Sequence, residues 1–384
     1  MSPTAKLESS GQTQSRLKYP LKGIIPPLVT PLLDEDTLDV QGLERLIEHV
    51  LQGGVHGIFV LGTTGETPHL SYQLRQQTIE HSAKIVAGRV PLLVGITDTS
   101  LQESLSLAKC AHKHNADAVV LAPPYYFPAG QTELLNWLKM IVPRLPLPCF
   151  LYNLPKITKL NFDLPTIKEA MKMSNCIGLK DSSGNMQYVH SILKDVKRSH
   201  PEFSVLIGPE DLIADGVLFG ADGAVPGGAN VSPKLFVDLY SAADAGDIAQ
   251  VRGLQDQVLL QRQTLYSIGK YESKAIKALK SALSILGICS DLLAPPFNKF
   301  LDEERQKVED GLLLLEDNGI QFVEEPLRKR QKRSPSPDAD DNADDNDDDG
   351  HVAHNNPSTP QPARDPLLLK TDALLKTPKD PLLL

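Results

Sequence analysis

Lys180 has the residue type and the setting of a nucleophile, because it directly follows the apolar run 176–179. Such a run predicts a buried strand, and a lysine at the end of a buried strand is partly removed from water. Desolvation disfavours the ammonium form, so a free amine is available at neutral pH to attack a carbonyl group. Taken alone, a lysine in this position is more often a surface residue that extends its amine into solvent. Imine chemistry is therefore indicated only if other functional residues gather around Lys180.

A tyrosine at the end of another apolar run supplies what an amine nucleophile lacks. Tyr152 closes the run 149–152, the apolar run that precedes the one before Lys180. A phenol both donates and accepts hydrogen bonds, so it can move protons between a carbinolamine, an imine and the substrate. Lys180 and Tyr152 together predict Schiff-base chemistry on a carbonyl substrate, with Tyr152 as the proton relay.

Two further segments offer groups that suit an anionic substrate. Gly62-Thr63-Thr64-Gly65-Glu66 combines glycines, which allow a ligand to approach the backbone closely, with hydroxyl and N–H donors for a carboxylate. Gly223-Ala224-Val225-Pro226-Gly227-Gly228 consists of small residues whose backbone N–H groups suit a carboxylate or a keto oxygen. Each segment alone is typical of a turn. Their shared position directly behind apolar runs is what favours a binding site.

The elements that must position these residues are predicted from hydrophobic periodicity. Short apolar runs alternate with longer segments of helical period, which is the pattern of repeated βα units in an α/β protein. The predicted strands are 24–29, 57–62, 92–95, 118–122, 149–152, 177–180, 205–208 and 223–225. Eight units favour a closed (β/α)8 TIM barrel over an open doubly wound sheet. The active site of such a barrel lies at the C-terminal ends of its strands, where the segments above fall.

Helices are expected between the strands and behind the last of them. Ser71 and Thr132 are the predicted start signals of two helices, because each hydroxyl precedes a run of helical period. The segments 247–268, 274–286 and 302–315 have helical period and lie outside the eight repeats. They predict extra C-terminal helices added to the barrel.

Composition divides the chain into three parts. Residues 1–18 form a polar lead, residues 19–322 carry the barrel with its C-terminal helical extension, and residues 323–384 form a charged, Pro-rich tail. The lead and the tail contain too little apolar surface to offset the entropy of ordering, so we expect both to be disordered. The tail repeats Asp-Pro-Leu-Leu-Leu at 365–369 and 380–384, which suits a docking peptide or a neutral extension.

Charge and apolar content restrict the partners and the compartment. A formal net charge of −9 gives no general attraction to nucleic acid or to acidic membranes. No stretch keeps the ~18 uninterrupted apolar residues of a membrane span, and residues 1–18 lack the apolar region of a signal peptide. The cysteines are widely spaced without a metal-ligand pattern, so we expect buried reduced thiols. These features indicate a cytoplasmic enzyme.

The motifs, in their order and spacing, resemble a known family. Residues 21 to 315 are similar to the dihydrodipicolinate synthase and N-acetylneuraminate lyase family, which are class I pyruvate-type Schiff-base aldolases on a (β/α)8 barrel. The matching motifs are Gly62-Thr63-Thr64-Gly65-Glu66, Pro124-Tyr125-Tyr126, Tyr152-Asn153-Leu154-Pro155, and Ile177-Gly178-Leu179-Lys180-Asp181 with Gly184. The resemblance implies a small-molecule 2-oxo acid and an aldehyde as substrates, no metal and no organic cofactor. It also implies a homo-oligomer, commonly a dimer of dimers.

The resemblance also implies a role for individual residues. Lys180 would form the imine, Tyr152 would relay protons, Thr63 would hold the carboxylate of the 2-oxo acid, and Tyr126 would reach into the relay of a neighbouring subunit. These four are the predicted catalytic residues.

Three further residues are implied in substrate binding. Thr64 would hold the carboxylate of the 2-oxo acid beside Thr63, while Gly62 and Val225 would contact the substrate at the strand ends. Val225 would do so through its backbone.

The sequence departs from the family pattern at the position that binds the carboxylate of the second substrate. Synthases that make dihydrodipicolinate carry an arginine shortly after the strand-five tyrosine, and the matching position here is Ile157. An aliphatic side chain cannot make the bidentate carboxylate contact of a guanidinium, and Lys156 or Lys159 would offer only a point charge. N-Acetylneuraminate lyases usually read Gly-Ser-Thr-Gly-Glu, whereas this chain has Thr63. An aldolase for a sugar-derived 2-oxo acid therefore fits best.

Other functions stay open at this point. Thr63-Thr64 and Tyr125-Tyr126 are compatible with 4-hydroxy-tetrahydrodipicolinate synthase, which condenses pyruvate with aspartate semialdehyde, and N-acetylneuraminate lyase is a further alternative. A non-catalytic barrel that uses its tail as a binding scaffold is the alternative from a different class.

Overall fold

The computed structural model describes residues 17–322. The predicted disordered tail at 323–384, and residues 1–16 of the predicted disordered lead, lie outside the described residues. Leu17 and Leu21, at the beginning of the described part, are already buried and pack inside the barrel.

Eight parallel strands form a closed ring. They are β1 (Gly23–Ile24), β2 (Ile58–Val60), β3 (Leu92–Gly95), β4 (Ala118–Leu121), β5 (Cys149–Asn153), β6 (Cys176–Asp181), β7 (Ser204–Ile207) and β8 (Gly223–Ala224). Neighbours pair in chain order from β2 to β8, and β8 pairs with β1. A parallel bridge between Pro27 and Phe59 joins the chain after β1 to β2. The predicted (β/α)8 barrel is confirmed.

The first strand is much shorter than the predicted run 24–29. Ile25 N still donates to Ala224 O, but Pro26 and Pro27 follow. Proline has no N–H to donate to a neighbouring strand, so regular pairing stops there. Phe59 N donates to Pro26 O and Leu28 N donates to Phe59 O, and these two bonds close the barrel in place of a longer strand.

Helices surround the barrel and extend beyond it. They are α1 (Val40–Gln52), α2 (Tyr72–Val86), α3 (Leu101–Lys113), α4 (Gln131–Ile141), α5 (Pro155–Thr158), α6 (Leu164–Ala170), α7 (Met186–Ile192), α8 (Ile213–Leu218), α9 (Pro233–Asp244), α10 (Ile248–Tyr266), α11 (Lys274–Ile285) and α12 (Asp302–Asp317). The helices predicted from 247, 274 and 302 are confirmed as α10, α11 and α12. None of the helices among residues 17–322 is long and apolar enough to cross a membrane.

One predicted helix start is confirmed and one is wrong. Ser71 caps α2, because its hydroxyl accepts a hydrogen bond from Leu74 N at 3.1 Å. The next predicted start, Thr132, lies inside α4, which begins at Gln131. Glu133 accounts for this difference. Its carboxylate accepts a hydrogen bond from Gly130 N at 2.8 Å, so the N-terminus of α4 is capped without a hydroxyl group.

The barrel interior is filled by side chains. The residues that pack there include Ile25, Phe59, Leu93, Val120, Phe150, Tyr152, Leu206 and Val225. A larger apolar layer lies between the strands and the helices. Because both faces of the parallel sheet are covered, each strand is an almost continuous apolar run, which is the pattern seen in the sequence. Polar groups therefore gather at the strand ends.

The cysteines are free thiols, as predicted. Cys149, Cys176 and Cys289 are buried and Cys110 is half-buried. Burial raises the pKa of Cys176 and of Cys289 to about 12, so neither thiol is ionised at neutral pH. No cluster of three or more histidine, cysteine, aspartate or glutamate side chains that could hold a metal ion occurs within residues 17–322.

Candidate active site

Lys180 and Tyr152 are paired across neighbouring strands at the C-terminal end of the barrel. They are register partners on β6 and β5, and the Lys180 Nζ lies 4.0 Å from the centroid of the Tyr152 ring. The same amine lies 5.0 Å from the Phe59 ring, and Lys180 is only 5% exposed. The amine is thus enclosed between two aromatic rings.

Burial decides the protonation of the Lys180 amine. Desolvation lowers the pKa of Lys180, and the interaction with Tyr152 raises it by less. The net pKa is below that of an ordinary lysine, so the free amine forms more readily near neutral pH. The expectation that Lys180 is a desolvated lysine at the barrel rim is confirmed.

The pKa of the Tyr152 phenol is lowered as well. Burial raises the pKa of its phenol, but the positive charge of Lys180 and hydrogen bonds with Thr63 and Ser182 lower it by more. The hydroxyl of Thr63 lies 3.4 Å from the phenolic oxygen. A phenol with a lowered pKa, next to an amine with a lowered pKa, forms a pair that exchanges protons easily.

The loop 62–66 has an unusual backbone at both ends. Leu61 and Glu66 have φ of 58° and 57°, a left-handed conformation that residues other than glycine rarely adopt. At Gly62 a Cβ atom would lie 2.8 Å from the Phe59 ring, so only glycine allows the loop this close to the aromatic wall beside Lys180. Backbone strain of this kind occurs where a fold holds functional groups in place.

A buried ion pair holds this loop from the helical extension. The carboxylate of Glu66 lies 2.5 Å from the Lys280 Nζ, and both side chains are fully buried. Glu66 Oε2 also accepts from Ala294 N at 2.9 Å, and Lys280 donates to Leu292 O at 2.6 Å. Burial lowers the pKa of Lys280, whereas Glu66 raises it by less. The ion pair ties α11 to the loop that carries Thr63 and Thr64.

Lys280 was not among the predicted site residues, although the sequence pattern of α11 indicates that its side chain is buried. Lys280 lies on the same stripe of α11 as Ile276, Leu279 and Leu283, where the periodicity predicts apolar side chains. A lysine within an apolar stripe needs a buried acceptor or counterion. Its partner Glu66 is more than 200 residues away in the chain, and the sequence does not identify it.

The strand ends beside the lysine and the tyrosine are held by side-chain amide and carboxylate groups. Asn153 Nδ2 donates to Asp181 Oδ1 at 2.7 Å, which connects the residue after Tyr152 to the residue after Lys180. Phe162 N donates to Asn153 Oδ1 at 3.0 Å. Asp181 is buried, and burial raises the pKa of its carboxyl group. These bonds fix the register in which Lys180 and Tyr152 face each other.

The structure brings most of the predicted site residues together. Val225 is buried in the same interior cluster as Phe59 and Tyr152, and its N–H donates to Ile207 O at 2.8 Å. Thr64 is half-buried in the loop beside Thr63.

Tyr126 is the predicted catalytic residue that this chain does not bring to the site. It is 78% exposed and packs edge-to-face against Phe127, with ring centroids 5.3 Å apart. It forms no hydrogen bond with Lys180 or Tyr152 within the described chain. A role for Tyr126 in the relay of a neighbouring subunit stays a prediction.

Ile157 lies on the short helix α5, just beyond Tyr152, and is 49% exposed. The lysines beside it have other partners. Lys156 forms an ion pair with Glu272 at 2.6 Å, and Lys159 Nζ donates to Lys156 O at 2.8 Å. Neither lysine therefore replaces the guanidinium expected at position 157 in a dihydrodipicolinate synthase.

Comparison with known proteins identifies the family of the chain. The family model of the dihydrodipicolinate synthetase family matches residues 20–313. A probable 2-dehydro-3-deoxy-D-pentonate aldolase, YjhH of Escherichia coli K12, is 31% identical over 300 residues, which cover 78% of this chain and 97% of that protein.

Solved structures give the same result. Dihydrodipicolinate synthase from Bacteroides thetaiotaomicron is 52% identical, with a TM-score of 0.76 over 78% of this chain and all of that chain. YagE of Escherichia coli K12, a prophage protein of the dihydrodipicolinic acid synthase family solved in complex with pyruvate, is 29% identical. Its TM-score is 0.73 over 77% of this chain and 99% of that chain.

These matches span the barrel and its helical extension, and they confirm the resemblance read from the motifs around Lys180. The predicted class of enzyme, a lyase or aldolase, is confirmed at the level of the family. The chain belongs to the dihydrodipicolinate synthetase family.

Proposed function

We propose that this protein is a Schiff-base aldolase that cleaves a sugar-derived 2-oxo acid into pyruvate and an aldehyde. The observation that carries the proposal is the buried Lys180 amine, 4.0 Å from the Tyr152 ring, with the Thr63 hydroxyl within hydrogen-bond range of the phenol. An amine nucleophile and a proton relay in one desolvated site are what imine chemistry requires.

Imine formation begins with attack of the Lys180 amine on C2 of the substrate. The new C–N bond gives a carbinolamine, and Tyr152 donates a proton to its hydroxyl group, which leaves as water. The product is a protonated imine. Thr63 exchanges the proton of the phenol through their hydrogen bond, while Thr64 and the backbone near Val225 hold the carboxylate of the substrate.

Cleavage uses the imine as an electron sink. The Tyr152 phenolate takes the proton of the C4 hydroxyl, the C3–C4 bond breaks, and the aldehyde leaves. The bonding pair moves into the imine and gives an enamine. Protonation of C3 and hydrolysis then release pyruvate and return the free amine of Lys180. The reverse direction is a condensation of pyruvate with the aldehyde.

Two observations support a sugar-derived substrate. The side chain at position 157 is aliphatic and its neighbour Lys156 is paired with Glu272, so a second carboxylate has no guanidinium partner there. The printed names of two Escherichia coli relatives, YjhH and YagE, are those of 2-dehydro-3-deoxy sugar acid aldolases, probable in one case and putative in the other.

The second candidate function is dihydrodipicolinate synthase, which condenses pyruvate with aspartate semialdehyde. The 52% identity to the Bacteroides thetaiotaomicron enzyme of that name favours it. The two candidates share the imine between Lys180 and pyruvate and differ only in the aldehyde.

The imine is tested by trapping. The protein is incubated with pyruvate and borohydride and then weighed intact. We expect the gain of one reduced pyruvyl group per chain in the wild type and none in Lys180→Ala. An unchanged mass in the wild type, or an equal gain in both, would show that Lys180 does not form the imine.

The aldehyde is tested by comparing two reactions on one preparation. We expect fast release of pyruvate from 2-dehydro-3-deoxy sugar acids and slow condensation of pyruvate with aspartate semialdehyde. The opposite ranking would assign the protein as dihydrodipicolinate synthase. Trapped imine without turnover of any 2-oxo acid would favour a binding scaffold.

The assembly and the location are part of the proposal. We infer a homotetramer built as a dimer of dimers, supported by the exposed aromatic pair Tyr126 and Phe127. Light scattering on the purified full-length chain tests this assembly. We also infer a cytoplasmic location.

A further inference from the structure

A small cavity of about 210 Å³ lies beside the start of α11, outside the imine site. Its walls come from the loop before α11, the first turn of that helix and the segment that leads into α12. The loop that forms one wall also contains Glu272, the partner of Lys156.

The cavity is strongly basic. Lys270, Lys274, Lys277 and Lys299 line it, and Glu304 is the carboxylate among its lining residues. The carboxylate of Glu304 already accepts from Leu301 N at 3.0 Å. The first three lysines form no ion pair with another residue in the described part of the chain, and Lys299 is 4.0 Å from Asp291. Within residues 17–322, Glu304, the contact of Lys299 with Asp291 and the interaction of Lys274 with Glu272 offset part of this charge, and the lining keeps a positive excess.

Lys277 is the most unusual of these lysines. It is only 8% exposed, and its Nζ donates to the neutral side chain of Asn298 at 2.9 Å. The amine also lies 6.0 Å from the Phe300 ring. A buried cation is costly unless an anion accompanies it. An anion in the cavity would supply that counterion.

Ser273 provides a second, independent indication of a ligand. It precedes the first residue of α11, lines the cavity and is 7% exposed. Its hydroxyl forms no hydrogen bond with another described residue. The N–H groups at the start of a helix favour an anion. A hydroxyl without a partner at this position suits an anionic oxygen.

We propose that this cavity binds a phosphate dianion, either inorganic phosphate or the phosphoryl group of a small molecule. Lysine ammonium groups bind phosphate as point charges, and several of them around one small cavity can share the charge of a dianion. The volume is below the roughly 300–1,000 Å³ of pockets for whole organic ligands, so it fits one phosphoryl group.

The test is a calorimetric titration of the full-length protein with inorganic phosphate, at constant ionic strength set by chloride. We expect saturable binding of one phosphate per chain, with competition by sulfate and none by acetate. Lys277→Met should weaken binding by about tenfold or more, because it removes a charged hydrogen bond. Lys307→Met, at an exposed lysine of α12, is the matched control and should bind like the wild type.

A second variant tests the proposal even if Lys277→Met does not fold. Lys270 is exposed, so Lys270→Ser should fold normally and still weaken phosphate binding by roughly threefold. The absence of saturable binding by the wild type at millimolar phosphate would overturn the proposal. Equal binding by the wild type and both cavity variants, or acetate competing as well as sulfate, would do the same.

Kinetics separate the two sources of the phosphate. If the substrate carries the phosphoryl group, Lys277→Met raises KM for a phosphorylated 2-oxo acid and leaves KM for the unphosphorylated acid unchanged. If the ligand is free phosphate, adding it changes turnover of the unphosphorylated acid in the wild type and not in Lys277→Met. The titration needs no imine, so its failure is distinct from a failure of borohydride trapping.

Discussion

Lys280 on α11 forms a fully buried ion pair with Glu66, 2.5 Å away, at the end of the loop that carries Thr63 and Thr64. The helical extension is thus joined to the barrel mouth by a charged contact. Glu66 has a left-handed backbone with φ of 57°. The ion pair therefore holds a strained residue in place beside the proposed carboxylate site.

Removing one partner of this pair should be strongly destabilising. In Lys280→Met the Glu66 carboxylate stays buried without its counterion, and we expect a loss of about 3–5 kcal/mol in the free energy of unfolding. Denaturant unfolding measures it. The double variant Glu66→Gln with Lys280→Met removes both charges and should recover much of the loss. Equal stability of the single and the double variant would contradict this account.

The pH dependence of imine formation should report the environment of Lys180. Imine formation needs the free amine, so its rate rises as the pH increases through the pKa of Lys180 and falls below it. Burial lowers this pKa, so the acidic limb should lie below the ~10.4 of an unperturbed lysine. Stopped-flow trapping across pH measures the midpoint. A midpoint at or above that value would rule out a desolvated amine.

Replacement of the tyrosine relay should affect turnover and leave the fold intact. In Tyr152→Phe the ring still packs in the barrel interior, but the phenol that carries protons is lost. We expect kcat for pyruvate release to fall about 10²–10⁴-fold, with an unchanged melting temperature. Thr63→Val is the companion variant and should have a smaller effect, because it removes only a 3.4 Å contact with the phenol. A kcat in Tyr152→Phe equal to that of the wild type would exclude the relay.

Position 157 should control which aldehyde is accepted. Ile157 is half-exposed on α5, so Ile157→Arg is tolerated sterically and adds a guanidinium near the mouth. We expect kcat/KM for condensation with aspartate semialdehyde to rise about tenfold, since one charged hydrogen bond has that value. Ile157→Leu is the control and should leave both reactions unchanged. If Ile157→Arg and Ile157→Leu give the same kcat/KM for this condensation, position 157 does not bind the carboxylate of the second substrate.

Close approach of two strand ends should make Gly95 intolerant of a side chain. A Cβ atom there would lie 1.8 Å from Leu61 O, in the backbone that leads into the loop 62–66. We expect Gly95→Ala to cost about 1–3 kcal/mol of unfolding free energy. Gly253→Ala on α10 has open space around its Cβ position and should stabilise by about 0.5–1 kcal/mol. Thermal unfolding of both variants checks the contrast.

The barrel and its repeats were predictable because each strand is apolar on both faces and each helix has an apolar stripe. Ser71 gave a helix start correctly because its cap is a local hydrogen bond. Strand β1 and the start of α4 were predicted less well. In both cases local hydrogen bonding overrides hydrophobicity: Pro26 and Pro27 lack the N–H groups of a strand, and the Glu133 carboxylate caps the helix.

The sequence by itself indicated the chemistry proposed for the site. Lys180 behind an apolar run, Tyr152 on the preceding run and Thr63 in a glycine-bounded loop have residue types and local settings that indicate an imine-forming site. The desolvation of Lys180 can be predicted from the sequence because the apolar run before it predicts a buried strand.

Only the tertiary structure decided the long-range partners. Glu66 meets Lys280 across more than 200 residues, and Lys277 is buried beside three other lysines and forms no ion pair with a carboxylate in the described chain. Neither relationship has a local pattern, because the distance between two buried charges depends on how separate helices and strands pack. The folded barrel, and not the motif, therefore fixes the geometry of the loop that holds Thr63 and Thr64.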